Sequence, residues 1–295
     1  MRFIFLCRRS PLNRIFFLLT FAILALFSWN CTSNSLTDDG GDISDKTQSL
    51  KGYISLNDHA SPEGVYVWLE TFGIGTYTDT IGYFQLPLPP PSQQSGGGLD
   101  GVFKLYYFFA NYQYETSDVI IRSGTFNPAT SDFDDNAELH YPKILNKLID
   151  IDIRVWCVPP QPGHEEESMA AEMIVQSYGT PVSLRIPSMI QNWLSGFILK
   201  RTKNDDVTYQ LITQTDTLTT QEVQGRHVFQ IQMNLTPSTV EQDATYQIIP
   251  YLYIDRPGMP TEIYESIGID LTDLSLDYLN YPIRYESPEF LPPFE

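Results

Sequence analysis

Short runs of alternating apolar and polar residues, each closed by turn formers, fill this chain and leave room for little besides antiparallel β-structure. Residues 52–56 (GYISL), 64–70 (GVYVWLE) and 82–87 (GYFQLP) form one series. Asn57-Asp58 and residues 61–64 (SPEG) separate them. A second series follows at residues 181–187, 196–201, 207–212, 228–235 and 244–253. Its spacing of roughly ten residues suits an immunoglobulin-like sandwich. Between the series, residues 159–167 (PPQPGHEEE) break the chain. The expected fold class is therefore all-β, with two β-sandwich domains over residues 49–158 and 159–295. Only residues 168–176 leave helix and first strand as open alternatives.

The 295 residues suffice for two domains of ordinary size, the expectation here, or for one large β domain. Apolar residues make up 42% and charged residues 18%, a balance that buries cores and argues against disorder. The net charge is −18, and every basic residue of the first 30 lies in a stretch free of acids. Without Arg2, Arg8, Arg9 and Arg14, the remainder holds 14 basic residues against 36 acids, or −22. Such a surface repels phosphate backbones and anionic headgroups, so nucleic acid is not an expected partner, and membrane attachment has to come through lipid.

Residues 15–27 are an apolar run behind three arginines, too short for the ~20 residues of a membrane-spanning helix and suited to a signal peptide over residues 1–30. Residues 28–31 (SWNC), followed by the polar stretch 32–42, resemble a bacterial lipoprotein signal. That family usually places Gly or Ala before its cysteine, where this chain has Asn30. The resemblance implies lipidation at Cys31, a flexible tether over residues 31–48, and export to the cell envelope. Thr32 and Ser33 after the cysteine imply the outer membrane of a two-membrane bacterium. Acylated, Cys31 cannot pair, and Cys7 leaves with the signal. Cys157 is then a lone thiol, which alternation places on the side of Ile151, Ile153 and Val155 and which is expected to be buried.

Residues 52–54 (GYI), 62–69 (PEGVYVWL) and above all 78–87 (TDTIGYFQLP) resemble the carboxypeptidase regulatory-like domain, a transthyretin- or prealbumin-like sandwich. That implies a seven-stranded spacer or binding scaffold without a peptidase zinc site. Asp79 to Gly82 reads as a tight turn with glycine at positive φ, and Phe84 and Leu86 then point inward. Residues 88–100, rich in Pro and Gly, replace the short turn of that family and are expected to form a solvated loop. Residues 179–188, 197–200 and 244–249 are similar to the intracellular proteinase-inhibitor sandwiches, which implies the fold alone.

Chemistry-bearing candidates are few. Asp132, Asp134 and Asp135 could offer oxygens to Ca²⁺, although the loop lacks the Gly and Glu positions of an EF-type site. His164 lacks a second His four residues on, so no zincin motif exists, and His59, His140 and His227 stand in no metal spacing. No nucleophile elbow or phosphate-binding loop occurs. Trp68, Trp156 and Trp193, with the tyrosines of residues 105–114, are core residues or a platform for sugar rings, the latter if they stand exposed on one sheet face. The expectation is a non-catalytic envelope lipoprotein that binds or spaces proteins or glycans. The alternative is an exported hydrolase.

Overall fold

A computed structural model describes residues 48–295, apart from residues 95, 97, 129–131, 160–167, 232, 234, 236–239, 242 and 293–295. In chain order the first strands are β1 (Ser49–Leu56), β2 (Tyr66–Leu69), β3 (Ile74–Tyr77), β4 (Tyr83–Pro87), β5 (Gly101–Phe108), β6 (Glu115–Arg122), β7 (Thr125–Phe126) and β8 (Lys143–Leu145). They form two sheets, ordered β4-β1-β8 and β3-β2-β5-β6-β7. Leu50, Ile54, Phe84 and Leu86 from one sheet meet Val67, Leu105, Tyr107 and Val119 from the other, which makes a sandwich. Alternation does this directly, because every second residue of a strand points to the same face.

The turn before β4 has the expected form. Gly82 sits at φ +83°, where an added Cβ would collide with the Ile54 carbonyl. The Asp79 carboxylate accepts from the backbone N–H groups of Ile81 (3.0 Å) and Tyr83 (2.8 Å). Phe84 and Leu86 are buried. Residues 88–100 are more than a solvated loop. Gln94 is buried and donates to the carbonyls of Pro89 and Gly124, both at 2.7 Å, while its amide oxygen accepts from Leu99 N–H. One amide side chain thus pins the insertion to the hairpin of β6 and β7.

The chain continues with β9 (Ile149–Val158), β10 (Ser168–Ser177), β11 (Val182–Pro187), β12 (Met189–Ile190), β13 (Trp193–Leu194), β14 (Gly196–Lys203), β15 (Asp206–Thr213), β16 (Leu218–Val223), β17 (Arg226–Ile231), β18 (Thr245–Pro250), β19 (Tyr253–Ile254) and β20 (Glu289–Phe290). A single α-helix, the five-residue α1 (Glu262–Ser266), stands among the described residues, beside short 3₁₀ turns at Pro91–Gln93 and Leu276–Asn280. The sheets run β12-β13-β17-β10-β9, β16-β11-β19 and β15-β14-β18-β20. Residues 168–176 prove to be strand, since β10 pairs with β9 from Ser168↔Val158 to Ser177↔Ile149.

That pairing also sets where the two halves meet. β9, the last strand of the first series, belongs to the five-stranded sheet of the second, because its isoleucines complete the inner face of that sheet. The sheet holding β2 and β5 is apolar on both faces. Val67, Leu69, Leu105 and Tyr107 fill the first sandwich, while Tyr66, Trp68, Tyr106 and Phe108 belong to a core cluster shared with β9 to β19 and α1. Residues 46–295 form one compact unit.

Polar side chains join the same segments. Asn111 is buried and donates to the Arg284 carbonyl (2.8 Å), while its oxygen accepts from Arg284 N–H (2.6 Å). Lys147 pairs with Asp58 (2.9 Å) and Asp150, and the Tyr112 hydroxyl donates to Asp58 (2.9 Å). Burial raises the Asp58 carboxyl, but the hydrogen bonds from Lys147, Ala60 and Tyr112 outweigh it and hold the group below its ordinary 3.8. A lowered carboxylate contributes stability that is present above the unfolded value and is lost as pH falls through the folded one. Asp58→Asn is therefore expected to cost about 1 kcal/mol at neutral pH and to flatten the acid limb of stability below about pH 4. Urea titrations across that range check this, and parallel acid limbs in the two proteins would refute it.

Candidate functional site

Cys31 and His164 lie outside the described residues. The three aspartates do not converge. Asp132 pairs with Lys143 (3.0 Å), and Asp134 accepts from the N–H groups of Asn136 (2.8 Å) and Glu138 (2.9 Å), closing its own turn. Asp135 is exposed. Among the described residues no group of three acidic, His or Cys side chains is placed to hold a metal ion. His59, His140 and His227 are exposed and stand in different parts of the fold.

The expectation for Cys157 fails. Its partner across the sheet, Met169, is buried, yet the thiol is exposed. The direction from alternation is right, but β9 is the outer strand of its sheet and its last residues run past the elements that cover the inner face. Burial of β9 accordingly falls away after Ile153.

A cleft of about 810 Å³ opens where residues 113–116 approach the start of β11 and the loop after β19. Glu115, Glu222, Asp255 and Arg256 line it, with no His or Cys. Ser183 donates to Asp255 at 3.0 Å, without a histidine between the hydroxyl and the carboxylate to take a proton. Burial pushes the Arg256 guanidinium down. One arm donates to the Ala110 carbonyl, and Nε has no partner among the described residues. That arginine ties the loop after β5 to the loop after β19. It is a structural strut at the floor of a polar cleft.

The aromatic residues divide between core and surface. Trp68 is buried against Tyr106, with ring centroids 5.7 Å apart, and Tyr107, Phe108 and Phe109 are buried too. Trp156 and Trp193 are 41% and 39% exposed. Both lie on the outer face of the five-stranded sheet. Cys157 faces inward opposite Met169, so Trp156 opposite Ala170 faces outward. Trp193 aligns with Gln230, Gln230 with Glu172, and Glu172 with Arg154, so one row crosses four strands on that face. The β12–β13 hairpin turns through Gln191 (φ 51°) and Asn192 (φ 69°), the paired left-handed conformation of a tight two-residue hairpin. It sets Ile190 directly across from Trp193.

No protein-family model matches the chain, and no curated protein matches it. Among solved structures it is similar to the shaft pilin SpaA of Lactobacillus rhamnosus GG, with 12% identity over 72% of this chain and 89% of that one and a TM-score of 0.25. At that TM-score the likeness carries no argument about function. The β-sandwich assignment stands on the sheets described above. No helix among the described residues is long and apolar enough to cross a membrane.

Proposed function

We propose that this chain is a non-catalytic cell-envelope lipoprotein, anchored through Cys31, whose β body carries a binding face. The observation that supports it is the contrast between two surfaces. The cleft offers carboxylates and a tied-down arginine without a nucleophile–base pair, whereas the outer face of the five-stranded sheet presents two part-exposed tryptophans to solvent. Concave sites for small substrates bury most of their ligand. An open sheet face suits a partner that lies across it. The carboxylates of Glu115, Glu222 and Asp255 on one cleft support the second reading, an exported hydrolase, and loss of a measured hydrolysis in Asp255→Asn is its signature.

Anchoring takes more than one acyl chain, each buried methylene adding about 0.8 kcal/mol. Cells fed radiolabelled palmitate are expected to label the wild-type protein and not Cys31→Ala, and the variant is expected to leave the outer-membrane fraction. Equal labelling of both proteins would overturn the lipid anchor.

A further inference from the structure

We propose that the outer face of the five-stranded sheet binds a neutral, extended polysaccharide, with Trp156 and Trp193 as its two stacking platforms. This deepens the binding reading given above and rests on it.

The face has two kinds of surface in a fixed order. Trp193 begins the row, Gln230, Glu172 and Arg154 continue it across β17, β10 and β9, and Trp156 lies two residues beyond Arg154 on the same side of β9. Three strand spacings and two residues of rise separate the backbone positions of the two tryptophans by about 16 Å. That is the span of a short oligosaccharide rather than of one sugar ring. Between them stand an amide, a carboxylate and a guanidinium. Gln230 donates to Glu172 at 3.3 Å, and Arg154 to the neighbouring Asp152 at 3.3 Å, which leaves further donors and acceptors open to solvent.

A pyranose ring has an apolar C–H face and a rim of hydroxyls that donate and accept. Indole faces match the first, and alternating Gln, Glu and Arg match the second. A protein partner would call for a contiguous, dehydrated apolar centre. Here the row between the two indoles is polar, and in the next row the apolar pair Ile174 and Val228 is split into a buried and a part-exposed side chain instead of forming such a centre. The charge of the polymer follows as well. Asp152 and Glu172 offset Arg154 and Arg226 on the face and Asp150 is paired with Lys147, while the chain as a whole carries −18 and repels polyanions. Ala170, opposite Trp156, has no side chain beyond Cβ to crowd the indole.

Native gels containing amylopectin, laminarin, galactomannan or mixed-linkage β-glucan test this with the full chain, followed by calorimetric titration of whichever retards it. At least one polymer is expected to retard the wild type. Trp156→Ala and Trp193→Ala are each expected to weaken binding at least ten-fold, the double variant to run as in a blank gel, and the two Trp→Phe variants to keep most of the retardation. Circular dichroism confirms that each variant is folded. Absence of retardation in all four polymers, or unchanged retardation of the folded double variant, would overturn the platform while leaving lipid anchoring at Cys31 untouched. Retardation that depends on the tryptophans, accompanied by shorter products on chromatography, would uphold the platform and refute the non-catalytic reading.

Discussion

Phe108→Ala is expected to lower the unfolding free energy by about 3–5 kcal/mol, the usual cost of truncating a fully buried aromatic ring. Phe108 ends β5 with no solvent exposure, and it packs against Tyr264 of α1 and Tyr281, each with ring centroids 5.8 Å away. Its neighbour Phe109 turns to the other side and stacks on Tyr112 at 5.5 Å. Phe108 therefore belongs to the core shared by the two series of strands, and removing it opens a cavity at their junction. Because that core is continuous from Tyr66 to Tyr281, the wild type is expected to unfold in urea as one transition followed by tryptophan fluorescence. A loss below 1 kcal/mol, or two separate wild-type transitions, would show that the junction does not couple the halves.

Alkaline unfolding is the second large effect. Tyr251, Tyr253, Tyr278 and Tyr281 pack ring against ring, the closest pair being Tyr251 and Tyr278 at 4.3 Å, stacked. The Tyr251 and Tyr253 hydroxyls lie 3.2 Å apart, and the Tyr281 oxygen accepts from Ile254 N–H at 3.2 Å. Burial pushes the Tyr281 phenol up to about 12, and drives Tyr253, Tyr264 and Tyr278 up as well. A raised phenol means that the folded chain keeps a proton the unfolded chain releases near 10. The stabilisation is complete below about pH 10 and is lost as pH rises through the folded values, and at Tyr281 alone the gap is worth a few kcal/mol in order of magnitude. Titration by tyrosinate absorbance is expected to withhold the phenols of Tyr253, Tyr264, Tyr278 and Tyr281 until near-ultraviolet circular dichroism collapses, so the two signals change together above about pH 11. Complete tyrosine ionisation with native dichroism retained would contradict the packing.

Local features were readable without coordinates because they depend on near neighbours in the chain. Period-two patterning locates β1, β2, β4, β11, β14, β15, β17 and β18, and the Asp79–Gly82 turn follows from the need of glycine for positive φ. The alternation that set Ile151 and Ile153 on one side of β9 also set Trp156 on the other, so one half of the platform was legible. β6 and β16 are not legible in the sequence, since ETSDVIIR and LTTQEV lack clean alternation and are held by pairing with β5 and β11. Tyr264, Tyr278 and Tyr281 give no periodic signal, because their packing is nonlocal.

Patterning in the chain determined that this protein is an all-β sandwich former. Tertiary structure alone decided how the strands are shared. It joined β9 to β10 rather than to the first sandwich, used both faces of the β2–β5 sheet, left Cys157 uncovered beyond the edge of the core, and aligned Trp193 with Arg154 across four strands. The physical reason is that alternation specifies which side of a strand is apolar, whereas register and the next layer specify what that side meets.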